Sequence, residues 1–351
     1  GGQEIRIINE MLLMKEVGIE VYLACREHSE IRKKAQENNL QVYVFPFKGN
    51  TDLKTLIKLK SFIVKNKINI LNSHSSKDTW IGGFAAKFAG IKFIRTRHLS
   101  IPIKKSRLNF INELADYVFT TGESVRLDMI NSNRINPMKI KSIPTGIDSS
   151  KFNPIHFNFE KSRALFNLNS EDIVIGMISV LRRFKRHDRF IEMARNVIDL
   201  NPNKSLKFII AGDGPQRESI NNLISYLDLN ENFILLGHVE KVPELINALD
   251  IFILASDSGE GVSQSLMQAL MMETATISTN VGSTSDLYLD NNFHLIDIDS
   301  QEQLNRACNE LILNENLRKS YQKKSRSYVV ENFSNEKMIE KITGVYDFLI
   351  S

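Results

Sequence analysis

Cysteine is scarce in this sequence of 351 residues, since only Cys25 and Cys308 are present. Two cysteines so far apart give neither a disulfide framework nor the paired spacing of a zinc site. The sequence therefore fits a reducing compartment, and we expect a cytoplasmic location. Long apolar runs are also missing, because no stretch approaches the roughly 20 apolar residues of a membrane-spanning helix. No signal-peptide pattern opens the sequence either. We therefore expect a soluble protein, or one with peripheral contact at the inner face of the plasma membrane.

A strong excess of one charge sign is absent as well. The 45 Lys and Arg residues and 41 Asp and Glu residues leave a net charge of +4, which is too small to indicate a nucleic-acid partner. One segment departs from this balance, because residues 91–107 contain six basic side chains and no acidic one. These are Lys92, Arg95, Arg97, Lys104, Lys105 and Arg107. The segment is either a solvated face or a contact with anionic lipid headgroups or an anionic acceptor.

The sequence does contain two series of apolar, strand-like runs that alternate with helical patterns; strands are expected, for example, at 19–24, 207–211 and 251–254. This alternation indicates parallel sheets with crossover helices, and the length is sufficient for two cores. We predict an α/β fold of two doubly wound, Rossmann-like domains that face a cleft. The expected boundaries are an acceptor-side domain at 1–148, a donor domain at 149–330, and a C-terminal helix within 331–351 that returns towards the first domain.

The first domain begins unusually, with Gly1 and Gly2 followed at once by a helical pattern. A doubly wound domain normally opens with a strand that leads into such a glycine turn. We interpret the glycine pair as a ligand-side loop whose first strand is missing here. The missing strand is expected to expose strand edges and to loosen the first domain.

The stretch SDSGEGVSQSLMQAL, residues 256–270, places Glu260 between two glycines after the apolar run 251–255. The pattern predicts a buried strand, then a turn, then a helix. Ligands bind at such turns in open α/β sheets, and the amides that open the helix can receive an anion. Glu260 would then accept hydrogen bonds from hydroxyls of the same ligand, or it is a solvated residue of a polar loop.

A cationic loop follows another predicted strand, at residues 181–187 with the sequence LRRFKRH. Arg offers a fork that matches phosphate oxygens and Lys offers a point charge, so a diphosphate is the natural counterpart. A solvated loop remains the alternative. The turn Gly212-Asp213-Gly214-Pro215 follows the next strand, and its glycines either admit a ligand closely or form only a tight turn.

Two histidines follow predicted strands of the first half. His74 stands in the polar segment LNSHSSKD, and Arg97-His98 follows the next strand at the same predicted edge. A structural histidine and a ligand-contacting one are both compatible with this position.

The ordered set of motifs resembles family 4 of the glycosyltransferases, which have the two-domain GT-B fold. The motifs that carry the resemblance are Gly1-Gly2-Gln3-Glu4, Pro144-Thr145-Gly146-Ile147-Asp148, residues 210–215 (IAGDGP), residues 260–268 (EGVSQSLMQ) and Asn280-Val281-Gly282. The resemblance covers essentially the whole chain. Two departures stand out, because Gln268 replaces the second acid of the family's Glu pair and Lys185-Arg186 replaces a Lys-Gly pair.

The resemblance implies a retaining, hexosyltransferase-like enzyme that moves a sugar from a nucleotide-diphosphate sugar to a glycan or lipid-linked acceptor. Cell-surface polysaccharide or lipopolysaccharide biosynthesis would be its setting, with no metal and no other cofactor. Arg182 and Lys185 would neutralise the leaving diphosphate. Glu260 would hold donor-sugar hydroxyls, and His74 would lie near the reacting side of the sugar.

The resemblance also implies a donor-binding set and an acceptor side. The donor-binding set comprises Gly1, Gly2, Gly212, Gly214, Val239, Gly261, Val262, Ser263, Gln264 and Gln268. Gln268 is assigned to the ribose, and Arg97 and His98 are expected on the acceptor side.

Two other functions remain open on the sequence. A nucleotide-sugar epimerase of GT-B type would use a similar fold, and a degenerate nucleotide-sugar-binding module would fit the change at Gln268. A dinucleotide-dependent dehydrogenase is disfavoured, because no G-x-G-x-x-G links a strand to a helix with an acid about 20 residues on.

Overall fold

The fold is that of a computed structural model, which describes residues 2–98 and 113–351. The helices and strands up to residue 142 are α1 (Gly2–Glu16), β1 (Tyr22–Cys25), α2 (Glu30–Glu37), β2 (Gln41–Val44), α3 (Leu53–Lys65), β3 (Ile70–Ser73), α4 (Ser76–Ala89), β4 (Lys92–Arg97), β5 (Tyr117–Thr120), α5 (Glu123–Asn133) and β6 (Ile140–Ser142). Gly1 lies outside the described residues, and so do Lys104, Lys105 and Arg107.

The rest of the chain continues the alternation and ends in helices. Its elements are α6 (Phe159–Leu165), β7 (Ile173–Ile178), α7 (His187–Leu200), β8 (Leu206–Ala211), α8 (Arg217–Tyr226), β9 (Phe233–Gly237), α9 (Val242–Asn247), β10 (Ile251–Leu254), α10 (Gln264–Met271), β11 (Ala275–Thr279), β12 (His294–Ile296), α11 (Gln301–Leu313), α12 (Glu315–Phe333) and α13 (Asn335–Ile350). Among the helices of the described ranges, none is long and apolar enough to cross a membrane.

The chain divides into two compact units. The first unit consists of Gly1–Gly146 together with Asn335–Ser351, and the second consists of Ile147–Ser334. The C-terminal helix α13 therefore belongs to the first unit, where Met338 and Ile342 pack with Ile94 and Phe119 of its sheet.

The second unit contains a six-stranded parallel sheet in the order β12-β11-β10-β7-β8-β9. Its central strands are apolar on both faces, as β10 shows with four fully buried residues. The strand order runs outward from β7 through β8 and β9 and then restarts at β10 on the other side. The boundary between β7 and β10 is therefore the topological switch point, where ligands bind in open α/β sheets.

Two apolar cores cover the faces of this sheet. Phe190 of α7 packs against Phe208 and Phe233 in one core, with ring centroids 6.0 and 5.9 Å away, and the rings of Phe208 and Phe233 stack at 5.2 Å. Burying each such side chain contributes about 1.5–3 kcal/mol to stability. The strands that carry the ligand-side loops are therefore held in place by a well-packed core.

The first unit contains two parallel sheets, one of β1 and β2 and one in the order β3-β4-β5-β6. Residues of β1 and β3 line a common cavity of about 740 Å³, which Met14 and Tyr346 also border. Within the described residues, each of these two strands pairs on one side only. The glycine loop predicted at the start is not seen at Gly2, which is the first residue of α1.

Candidate active site

The loops after β7 and β10 are joined by a buried ion pair between Lys185 and Glu260. The Lys185 ammonium donates a hydrogen bond to Glu260 Oε1, and the hydroxyl of Ser256 donates to the same oxygen at 2.7 Å. Lys185 is 9% exposed and Glu260 7% exposed. Two charges that leave water need such a partner, because an isolated buried charge is costly. The pair therefore places a fixed cation and a carboxylate together at the switch point.

Further contacts hold these two loops against each other. The amide of Asp257 donates to the carbonyl of Phe184 at 2.9 Å, and Arg186 makes ion pairs with Asp188 at 2.9 Å and Asp257 at 3.4 Å. Arg186 is in the left-handed backbone region, with φ at +56°. The family's Lys-Gly pair would suit this conformation better than Lys185-Arg186, and the two ion pairs of Arg186 help to stabilise it.

The loop after β8 packs under the cationic loop by close backbone contact. A Cβ on Gly212 would lie 1.9 Å from the carbonyl oxygen of Ser179, and one on Gly214 would lie 2.6 Å from that of Leu181. Leu181 also donates its amide to the carbonyl of Asp213 at 3.0 Å. The glycines are thus required for loop packing, whatever their distance from a ligand.

The Glu260 turn has a similar support on its other side. Gly282 has φ at +60°, and a Cβ there would lie 2.0 Å from the carbonyl oxygen of Glu260. The amide of Ser283 donates to the carbonyl of Gly261 at 3.2 Å. The Asn280-Val281-Gly282 motif therefore fixes the backbone that carries Glu260.

The remaining predicted donor residues of the second unit lie on or near the same loops. Ser263 is the N-cap of α10, and Gln264 and Gln268 are one helical turn apart and half-buried on that helix. The Val262 side chain is 7% exposed and packs in the apolar core, so only its backbone can face a ligand. Val239 is half-buried beside α9, and Gly261 follows Glu260 directly.

Arg182 differs from Lys185 in its surroundings, because it is exposed. Arg182 begins the same turn, because its carbonyl accepts a hydrogen bond from the Lys185 amide at 3.0 Å. The structure thus brings Lys185 and Glu260 into contact and leaves Arg182 at the rim of the turn.

His187 is a site-adjacent residue that the sequence did not single out. Its Nε2 lies 3.1 Å from the hydroxyl of Ser179, and the residue is 3% exposed. Burial, and then the nearby Lys185 charge, lower the pKa of His187 to about 4. The neutral ring therefore supports the cationic loop without adding charge; its position at the start of α7 was the available signal.

In the first unit, the structure brings together the two predicted histidines. Because β3 and β4 are neighbours, His74 Nδ1 and His98 Nε2 lie 3.0 Å apart, with ring centroids at 5.2 Å. The backbone is anchored too, since Gln3 donates to the His74 carbonyl at 3.0 Å and Thr121 to the His98 carbonyl at 3.3 Å. One ring donates to the other, so their tautomers are coupled.

Both histidines are held neutral by their surroundings. Burial, and then the Arg6 charge, lower the pKa of His74 to about 3. Burial, followed by His74, Arg6 and Arg97, lowers the pKa of His98 to about 2. A neutral pair can donate and accept hydrogen bonds to a sugar, but near neutral pH it supplies no positive charge.

Arg6 is the second residue that the sequence did not reveal. It is 1% exposed, pairs with Glu10 at 3.5 Å and donates to the hydroxyl of Thr145 at 3.3 Å. An Arg and a Glu four residues apart on a helix usually form a surface pair. The available signal was that buried Met14 continues the same line of the helix.

The described part of the basic segment, residues 91–98, is only partly exposed. Arg95 is 7% exposed, and its burial lowers its pKa to about 10, so it cannot contact a lipid headgroup or a large acceptor. Lys92 is exposed and Arg97 half-buried.

Comparison with known proteins places the chain in a family. The profile described as Glycosyltransferase Family 4 matches residues 1–151, and the profile described as Glycosyl transferases group 1 matches residues 158–328. The chain belongs to the family 4 glycosyltransferases. The predicted family and the predicted enzyme class are thus confirmed.

Individual relatives agree with this family 4 membership. An Escherichia coli protein described as UDP-Gal:alpha-D-GlcNAc-diphosphoundecaprenol alpha-1,3-galactosyltransferase is 26% identical, over 97% of this chain and 92% of that protein. A glycosyltransferase structure from Rickettsia africae has a TM-score of 0.89 at 20% identity, covering 100% of this chain and 96% of that one. Anabaena HepE in complex with UDP has a TM-score of 0.86 at 16% identity, covering 99% and 97%. The predicted GT-B fold class, with two parallel-sheet α/β domains, is confirmed.

Proposed function

We propose that this family 4 glycosyltransferase moves a sugar from a nucleoside-diphosphate sugar to a lipid-linked glycan acceptor, in the assembly of a cell-surface polysaccharide or lipopolysaccharide. We further propose that the transfer retains the anomeric configuration and uses no metal. The C1–O bond to the diphosphate breaks, a bond from C1 to an acceptor hydroxyl forms, and the acceptor proton leaves with the nucleoside diphosphate.

The observation that carries the proposal is the buried pair of Lys185 and Glu260 at the switch point between β7 and β10. The lysine supplies positive charge where a diphosphate would develop negative charge on leaving, a task that metal ions perform in other enzymes. The carboxylate can exchange its ammonium partner for sugar hydroxyls. Arg182 at the rim of the same turn is assigned to the outer phosphate oxygens.

The other residues are assigned to the donor nucleotide, the donor sugar or the acceptor. Gln268 on α10 is assigned to the ribose, and the backbone of residues 261–264 to the phosphates and sugar. His74 is assigned to the reacting face of the donor sugar. Its partner His98 and nearby Arg97 are assigned to the acceptor side. Gly212 and Gly214 contribute by keeping the loops close together.

The names of two similar proteins favour UDP as the nucleotide and a polyprenyl diphosphate as the lipid. The Escherichia coli relative is named for UDP-Gal and a diphosphoundecaprenol acceptor, and HepE was solved with UDP. We therefore propose a UDP-sugar donor and an acceptor sugar on a polyprenyl diphosphate.

A thermal-shift panel with UDP, GDP, ADP and several UDP-sugars, run with EDTA throughout, tests donor binding. We expect UDP and one UDP-sugar to raise the melting temperature most. Lys185→Met should reduce the shift strongly, whereas Lys323→Met, at an exposed lysine of α12, should not change it. An equal shift with Lys185→Met would refute the charge assignment.

A second assay distinguishes transfer from the alternatives. The stabilising UDP-sugar is incubated with and without GlcNAc-diphosphoundecaprenol, and products are analysed by mass spectrometry and NMR. Transfer predicts an acceptor enlarged by one sugar whose anomeric configuration matches the donor. Epimerised donor without acceptor would favour the epimerase, and UDP-sugar binding without turnover of this and other lipid-linked acceptors would favour a binding module.

A further inference from the structure

Helix α3 has an inner face that the fold fully explains. Leu56, Leu59 and Ile63 are at most 9% exposed and pack with Ile81 and Ala85 of α4. These positions recur at three and four residues, as expected for one buried face of an amphipathic helix. The inner face therefore accounts for one set of the apolar residues of α3.

A second apolar stripe runs along the outside of the same helix. Leu53 is 68% exposed, Ile57 65% and Val64 60%. At 3.6 residues per turn these three side chains fall within about 40° of one another around the axis, and the stripe is about 16 Å long. Single exposed apolar residues are ordinary, but three aligned ones on one helix form an apolar strip of the kind that contact surfaces contain.

Lysines flank this stripe, and no acid interrupts it. Lys54, Lys58 and Lys65 are exposed and lie about 100–140° around the axis from Leu53. Lys60 lies on the other side, close to the stripe. No Asp or Glu occurs between Asp52 and Asp78 in the sequence. The outer surface of α3 is thus apolar along one line and purely positive beside it.

We propose that this outer surface of α3, defined by Leu53, Ile57, Val64 and the lysines at 54, 58 and 65, docks on an anionic lipid bilayer. Apolar side chains enter the boundary between headgroups and acyl chains, as interfacial helices do, while lysines reach lipid phosphates on their long stems. Lipid is the favoured partner because the cations are all lysine, which suits a diffuse anionic surface, and not arginine, which suits fixed bidentate sites.

Docking through this surface would bring the enzyme to the membrane that contains its lipid-linked acceptor, and this purpose of the surface rests on the proposed function. Its evidence is separate, because none of the α3 residues belongs to the donor site. A short stripe with few lysines predicts reversible, peripheral binding that depends on salt.

Vesicle flotation tests the proposal with the whole protein. Vesicles of phosphatidylcholine alone are compared with an equal mixture of phosphatidylcholine and phosphatidylglycerol, at low and high salt. The wild type should bind the mixed vesicles at low salt and not the neutral ones. Absence of binding to the mixed vesicles, or equal and salt-independent binding to both, would overturn the proposal.

Variants then locate the contact. Each lysine near an anionic surface strengthens binding about fivefold, so the triple change to Gln at 54, 58 and 65 should weaken it about a hundredfold. The double change Ile57→Ser and Val64→Ser should weaken it about tenfold. Matched controls are the Gln triple at the exposed Lys161, Lys204 and Lys323, and the Ser double at Leu200 and Leu313, which are 59% and 60% exposed. The controls should bind like the wild type.

Two readouts separate the possible failures. UDP-induced thermal shifts of the α3 variants should equal the shift of the wild type. If the wild type itself shows no UDP-induced shift but still binds the vesicles, the result counts against the proposed function and not against the α3 surface. Polyglutamate is tested as a soluble acidic competitor. If it binds through the same lysines as tightly as the vesicles do, an acidic protein partner replaces the bilayer and the proposal fails.

Discussion

Replacing Glu260 with Gln tests both the stability and the chemistry of the buried pair. Lys185 and Glu260 are 9% and 7% exposed, so solvent screens their attraction little. The variant leaves the ammonium buried beside a neutral amide, and breaking such a pair costs about 3–5 kcal/mol. In the variant, the Ser256 hydroxyl still has a neutral amide oxygen as acceptor, and such a hydrogen bond contributes only about 1 kcal/mol, so it does not offset the loss of the ion pair. We therefore expect the second unit to lose about 3–5 kcal/mol of its free energy of unfolding.

Urea unfolding followed by two signals measures this loss. The single tryptophan, Trp80, lies on α4 of the first unit, so its fluorescence reports that unit and serves as the internal control. Far-UV circular dichroism reports both units. Glu260→Gln should shift the dichroism transition and leave the Trp80 transition in place. The double variant Lys185→Met with Glu260→Gln should recover most of the loss, because no buried charge remains.

Nucleotide binding gives the result that would refute the reasoning. Lys185 must leave Glu260 to contact a phosphate, so Glu260→Gln should bind UDP as tightly as the wild type or more tightly, while losing turnover of the UDP-sugar. Lys185→Met should bind UDP about 10- to 150-fold more weakly, the value of one charge-assisted hydrogen bond. If both variants lose UDP binding equally, or if Glu260→Gln unfolds like the wild type, the pair does not have the role assigned here.

Three further predictions concern other parts of the chain. Gln268→Glu should tighten UDP binding about tenfold by calorimetry, because a charged acceptor for the ribose hydroxyls replaces a neutral one; unchanged affinity would contradict the ribose assignment. The lowered pKa values of His74 and His98, about 3 and about 2, mean that the unfolded chain binds protons which the folded first unit excludes. Its stability should therefore be complete above about pH 6.5 and fall as the pH drops towards 3, by about 1.4 kcal/mol per pH unit for each histidine. Changing both to Gln should flatten this dependence in tryptophan-monitored unfolding, and an unchanged slope would contradict it. Gly282→Ala should destabilise the protein more than Gly90→Ala in thermal unfolding, because both have positive φ but only the former drives a Cβ into a neighbouring carbonyl; equal losses would show that the loop can move away.

The sequence predicts the second unit more closely than the first. The strand expected at 207–211 is β8, and the one expected at 251–254 is β10 in full. These strands are continuous apolar runs with polar turns on both sides, which leaves little ambiguity. In the first unit, the strand expected at 19–24 begins only at Tyr22. Ile19 and Val21 lie in the connection between α1 and β1, and they are apolar because they pack against the core of the first unit, not because they belong to a strand.

Pairwise contacts of the site depend on sheet order, which local patterns do not contain. The sequence places Lys185 and Glu260 at carboxyl ends of strands, but only the adjacency of β7 and β10 brings them together across 75 positions. The contact of His74 with His98 likewise follows from the pairing of β3 with β4. Arg6 was hidden by a helical spacing that usually indicates a surface pair.

The cavity between β1 and β3 leaves apolar side chains of the folded first unit accessible to small molecules. Its lining belongs entirely to the first unit and includes Ile7, Met11, Leu23 and Phe62. A fluorescent dye that partitions from water into apolar surroundings should therefore bind the native protein at this cavity.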